Sequence, residues 1–116
     1  MKKLNESYLE IKKSKFIGIL YEIDSKDEID SIIESLKIEH KKARHIVYAY
    51  KINNQEKNYS DKEPSGTTRG LLDIINKKEL NNILIVVIRY FGGILLGSGP
   101  LTRTYTKVSS MLFENI

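Results

Sequence analysis

A chain of 116 residues is long enough for one domain, whose folding buries roughly two thirds of the surface of the extended chain. Hydrophobic residues at 41% and charged residues at 29% lie in the ordinary globular range and exclude the low-hydrophobicity pattern of disorder. The absence of cysteine excludes disulfides, thiolate metal sites and cysteine nucleophiles, and a formal net charge of +4 gives mild attraction to polyanions. The basic opening, residues 1–16, lacks the continuous apolar core of a signal peptide, and no segment reaches the roughly 20 apolar residues that cross a bilayer. A cytoplasmic protein with no membrane association is therefore expected.

From Ser7 to Ile23 the chain is rich in aromatic and β-branched residues, which predicts one or two strands with a hairpin turn at the polar interruption around Lys12 and Lys15. Ser25 stands three residues before Glu28, the capping-box spacing, so a helix should begin there. Ile29, Ile32, Ile33 and Leu36 follow at i, i+3, i+4 and i+7 and form its apolar face. His45, Val47 and Ala49 alternate with Ile46, Tyr48 and Tyr50, the pattern of a strand covered on both sides. Residues 51–62, rich in Asn and Lys, read as one long polar loop. A short helix capped by Ser65 or Thr67 should carry Leu71, Leu72, Ile74 and Ile75 and end near Asn76.

Residues 83–88 form an unbroken β-branched run, the signature of a central strand. Ser98 or Gly99 can then cap a last helix with Pro100 at its first position, and Leu101, Tyr105, Val108 and Leu112 supply its buried stripe. This order predicts an α+β two-layer sandwich, a four-stranded sheet with its helices mainly on one face, as a single domain over residues 1–116.

Two glycine-containing turns carry the chemistry. Gly97, Ser98 and Gly99 precede a helix, where unpaired N–H groups and the positive end of the dipole favour an anion, with Arg89 and Arg103 as added donors. The alternative is that these glycines only permit a sharp strand-to-helix connection. The turn matches neither the G-K-[ST] nor the G-x-G-x-x-G nucleotide fingerprint. Glu63, Pro64, Ser65, Gly66 and Thr67 make the second turn, either another anion site or a turn shaped by Pro64 and Gly66 ahead of a capped helix. His45 is a candidate base or stacking partner, or a plain strand residue. No paired ligands at metal spacing accompany it, so neither metal nor cofactor is expected. The basic residues bunch at Lys12, Lys13 and Lys15 and at Lys41, Lys42 and Arg44, a weak footprint for nucleic acid.

Five ordered segments resemble the IMPACT/YigZ family: Ile11 to Ile17; His45 with Tyr48, Ala49 and Tyr50; Tyr59, Ser60 and Asp61; Glu63 to Thr67; and Arg89, Tyr90, Phe91, Gly92, Gly93 and Ile94. The match runs on through Leu96, Gly97 and Gly99 to Leu101, Arg103 and Tyr105. The resemblance implies the fold shared by a small-subunit ribosomal protein domain and domain IV of elongation factor G, with two helices on one face and a left-handed crossover. It also implies translation: eukaryotic members compete for the activator of a stress kinase, and nucleic-acid or ribosome binding is suggested for bacterial members, which generally add a ferredoxin-like domain that residues 1–116 do not include. The chain departs from the family pattern where Lys62 replaces an acidic-glycine pair, at Thr68, Arg69, Gly70 and Leu71, and at Leu95 and Pro100 in place of a lysine and a glycine.

The expectation is thus a non-enzymatic binding module on RNA or the ribosome-associated machinery, using Arg89, Tyr90, Gly92, Gly93, Gly97, Ser98, Gly99, Arg103, His45, Glu63, Ser65, Gly66 and Thr67. Two alternatives stay open: an enzyme on a phosphorylated small molecule with Glu63 or His45 as acid or base, and a protein-interaction module with a separately encoded partner.

Overall fold

The structure, a computed structural model, describes residues 1–114, so the last two positions of the expected 1–116 domain lie outside the described residues. β1 (Lys2–Ile11) and β2 (Ser14–Glu22) form an antiparallel hairpin. Lys12 and Lys13 join them with φ of 47° and 68°. Two successive left-handed residues give the turn whose twist suits a two-residue hairpin, so the polar interruption is the turn expected there.

Helix α1 (Lys26–Glu39) starts where the Ser25 and Glu28 spacing places it, and Ile29, Ile32, Ile33 and Leu36 are all buried. The cap is built differently from a capping box. Ser25 makes no side-chain cap bond, while the Glu28 carboxylate accepts the Asp24 N–H at 2.6 Å and the N-terminal amine at 2.7 Å. The amine's hydrogen bond, with help from the Asp24 N–H, holds the Glu28 carboxyl below its ordinary value.

β3 (His45–Ile52) and β4 (Gln55–Tyr59) form a second hairpin in the segment expected to be loop. Asn53 and Asn54 sit at φ of 52° and 62°, again the two-residue turn, with asparagine tolerating the left-handed conformation. Every residue of β4 is exposed, so the strand carries no apolar periodicity by which to be recognised. The sheet consequently has five strands rather than four, in the order β1-β2-β5-β3-β4, with each neighbouring pair antiparallel. β5 (Ile83–Tyr90) lies at its centre, buried from Ile83 to Arg89.

The alternation of β5 divides the core. Ile83, Ile85 and Val87 join Leu71, Ile75, Leu101, Tyr105 and Val108 on one face, the face of α2 (Gly66–Lys77) and α3 (Ser98–Ser110). Leu84, Val86 and Ile88 join the buried stripe of α1 on the other. Two helices share a face as expected, but α1 covers the opposite one, and the molecule has three layers instead of two. The uninterrupted apolar run of β5 is the sequence signal of that double coverage.

α2 and α3 pack side by side and run parallel. A Cβ on Gly66 would stand 3.3 Å from Thr102, and one turn further on Gly70 faces Thr106. Gly97, not Ser98 or Gly99, occupies the N-cap of α3, because the Leu101 N–H already reaches the Gly97 carbonyl at 2.9 Å. Pro100 therefore sits at the third helical position, where its missing N–H is still one of those without an intrahelical partner. The stripe of Leu101, Tyr105, Val108 and Leu112 is buried as read from its spacing, and a short 3₁₀ turn, Met111–Phe113, follows α3.

Candidate functional site at one rim of the sheet

The antiparallel register brings distant segments to one end of the molecule. Lys15 pairs with Tyr90 and His45 with Arg89, so the β1–β2 turn, the start of β3 and the end of β5 share a rim. The chain from β4 to α2 arrives at the same rim, since Tyr59 pairs with Tyr48 near the start of β3. Both α2 and α3 point their N-termini there.

Phe16, Arg89 and His45 stand in one cross-strand row, all on the face of α2 and α3. Arg89 is only 6% exposed. Its Nη1 donates to both Glu63 oxygens, at 3.1 and 2.8 Å, and the guanidinium lies 5.8 Å from the Phe16 ring centre and 5.9 Å from that of Phe91. Tyr105 donates to Glu63 at 2.5 Å, and its ring meets Phe16 edge to face at 5.3 Å. Burial, followed by the Glu63 hydrogen bond, pushes the Tyr105 hydroxyl far above its ordinary value. His45 places Nε2 3.4 Å from Glu63 and Nδ1 2.8 Å from the Asp61 carbonyl.

Asp61 anchors the loop that delivers Glu63, accepting the Ile46 N–H at 2.8 Å and the Tyr59 hydroxyl at 3.2 Å. Asp61 and Lys62 take φ of 50° and 67°, and the Glu63 N–H closes on the Ser60 carbonyl at 2.9 Å. A turn that favours glycine is made here with a lysine.

Thus Glu63, His45 and Arg89 meet, but as a buried, internally paired cluster. Tyr90 leaves it: on the next residue of β5 it faces α1 and shares a 2.7 Å hydrogen bond with His40. Thr67 is fully buried with its hydroxyl unpartnered, and so is the Arg89 Nε, among the described residues. Ser65 is the exposed N-cap of α2 with no side-chain cap bond, and Gly66 lies against α3. Gly92 is fixed by close approach, because a Cβ there would land within the Lys13 backbone, and its N–H donates to Ser14 at 3.3 Å. Gly93 takes a φ of 90°, open to glycine. Gly97, Ser98 and Gly99 are exposed, and a Cβ on Gly99 would stand 3.3 Å from the Arg103 guanidinium, which lies over the first turn of α3.

Three further features escape a reading of segments one at a time. Tyr105, legible as core, is also the hydroxyl that binds Glu63. Arg44 stacks over Phe91 at 4.7 Å. And Lys12, Lys13, Lys15, Lys41, Lys42, Arg44 and Lys62 are all exposed around this rim, none in an ion pair among the described residues.

Comparison with known proteins places the chain among relatives. A model of the Impact N-terminal domain matches residues 12–113. The chain is 38% identical over 111 residues to IMPACT family member YvyE of Bacillus subtilis, covering 92% of this chain and 51% of that one. The chain spans about half the length of the curated relatives it matches. A crystal structure described as that of a hypothetical protein superposes with a TM-score of 0.88 at 30% identity, covering 99% of this chain and 62% of the other. The two-domain translational regulator Yih1 superposes with a TM-score of 0.51 at 19% identity over 96% of this chain and 45% of its own, a likeness of fold alone. With a family model matched across nearly its whole length, the chain belongs to the family of the Impact N-terminal domain.

Proposed function

We propose that this domain is a binding module of the translation machinery that grips RNA backbone phosphates at the rim. The observation that carries this reading is the gathering of exposed Lys12, Lys13, Lys15, Lys41, Lys42, Arg44 and Lys62 along one rim of the sheet, the end at which α2 and α3 begin, with Arg103 over the first turn of α3. Unpaired cations and helix N-termini are the groups that hold phosphate without reading sequence. The description of Yih1, which shares the fold, as a translational regulator supports the choice of partner.

Arg89 enters this reading as a support. Its charge is neutralised by Glu63, so the phosphate contacts fall to the exposed Arg44 and Arg103 and the lysines beside them. The same cluster argues against Glu63 as a general base, since its carboxylate already accepts from Arg89 and Tyr105.

Filter binding to structured RNA and to ribosomal particles across a salt series tests the proposal. Affinity should fall steeply as salt rises, and Lys42→Glu/Arg44→Glu should reduce it at least tenfold with the fold intact by circular dichroism. An absence of salt-dependent binding to any RNA or particle would retire the reading.

A further inference from the structure

The parallel packing of α2 and α3 leaves a groove of about 790 Å³ along their outer seam. Arg69, Asp73, Lys77 and Lys78 of α2 and its C-terminal end line one wall, and Thr102 and Thr106 of α3 the other. The lining runs from Gly66, where α2 begins at the rim, to Lys78 just past the end of the helix.

We propose that this groove carries a single strand of nucleic acid onward from the rim, its phosphates following Arg69, Lys77 and Lys78; this rests on the rim reading above. Charge complementarity selects the occupant, because the three cations are opposed among the groove's lining residues by Asp73 alone. Their spacing suits a polymer. Arg69 and Lys77 are eight residues apart on one helix, about 12 Å at about 1.5 Å per residue, the rise of three to four nucleotides at about 3.4 Å each, so different phosphates of one strand can meet them. The whole of α2 spans about 18 Å, the length of about five nucleotides of a stacked strand. Thr102 and Thr106 supply hydroxyl donors of the kind that bind phosphate oxygens without regard to base. A duplex is too wide for a seam between two touching helices, with axes about 8–10 Å apart. Lys77 and Lys78 are exposed and free of ion pairs among the described residues, and Lys78 is steadied over the Phe113 ring at 5.1 Å.

Fluorescence anisotropy with single-stranded oligoribonucleotides of increasing length, and with a blunt duplex, distinguishes the groove from the rim. In Arg69→Ala/Lys77→Ala the longer strands should bind about tenfold more weakly, and the slope of log affinity against log salt should fall by about 1.4, two contacts at about 0.7 each. The shortest strands, held by the rim alone, should bind as to the unaltered protein. Asp73→Asn should tighten the longer strands. All three substitutions lie on exposed helix positions, so the fold is retained and circular dichroism checks it. If Arg69→Ala/Lys77→Ala leaves the slope unchanged while Lys42→Glu/Arg44→Glu removes binding, the rim reading stands and the groove is excluded. Preference for the duplex, or capture of poly-glutamate at the groove in place of RNA, likewise overturns the strand. Failure of the unaltered protein to bind RNA of any length removes both.

Discussion

At the scale of single residues, the molecule's principal polar commitment is the meeting of Arg89, Glu63 and Tyr105 under the rim. Glu63 is 9% exposed and Arg89 6%, so neither charge can fall back on water when its partner is lost. Glu63→Ala should therefore destabilise the fold by about 3–5 kcal/mol, read as a lowered urea midpoint at unchanged slope, because it strands a buried guanidinium. A loss under about 1 kcal/mol would mean that water already solvates Arg89. Tyr105→Phe removes one charge-assisted bond and should cost about 1.5–3 kcal/mol at neutral pH. Its pH dependence is separable. The folded hydroxyl holds its proton far above the ordinary value of 10.0, so its contribution is complete below that value and is lost as pH rises beyond it. Between about pH 10 and 12 Tyr105→Phe should shed one proton's share of the falling slope, at most about 1.4 kcal/mol per pH unit. His45, Glu63 and Arg89 were legible one by one as polar residues beside turns. Their pairing was not, since it depends on the β3–β5 register and on the exact height at which the loop sets Glu63.

Among elements, the connections are more constrained than the strands they join. Gly92 lies against the Lys13 backbone, binding the β5–α3 connection to the β1–β2 turn. Gly92→Ala has to push two backbones apart and should cost about 1–3 kcal/mol. Gly97 makes the contrast: it caps α3 at φ of −64° and ψ of 158°, a conformation open to any residue, with only ordinary contact to Pro100 at 3.5 Å. Gly97→Ser should stabilise by several tenths of a kcal/mol, through a side-chain cap and a less flexible unfolded chain. Thermal midpoints moving in opposite directions for the two variants would support this account, and a loss in both would refute it. The helices were readable because their apolar faces are long and periodic, as Ile29, Ile32, Ile33 and Leu36 illustrate. β4 was hidden because an exposed edge strand of Gln, Glu, Lys, Asn and Tyr has no face to bury, and its sole signal was the Asn53 and Asn54 turn. The third layer was missed because alternation along β3 shows that both faces are covered without saying by which helix.

For the whole molecule, the distribution of charge says more than its sum. A net charge of +4 on 116 residues is unremarkable by itself, yet the fold draws Lys12, Lys13, Lys15, Lys41, Lys42, Arg44 and Lys62 to one end, from segments up to fifty positions apart. Like charges held close repel and weaken the compact state, so a multivalent anion that settles among them should stabilise it. Inorganic pyrophosphate at about 100 times its dissociation constant should add about 2.7 kcal/mol. For a domain of this size each kcal/mol moves the thermal midpoint by about 4–8 °C, well within the reach of calorimetry. The comparison has to be made at constant ionic strength, because simple screening by chloride also relieves repulsion. A pyrophosphate shift that exceeds the chloride shift and shrinks in Lys42→Glu/Arg44→Glu assigns the anion to the rim. Equal shifts from the two salts would reduce the cluster to a solvated basic surface, with its charge acting on solubility and not on recognition.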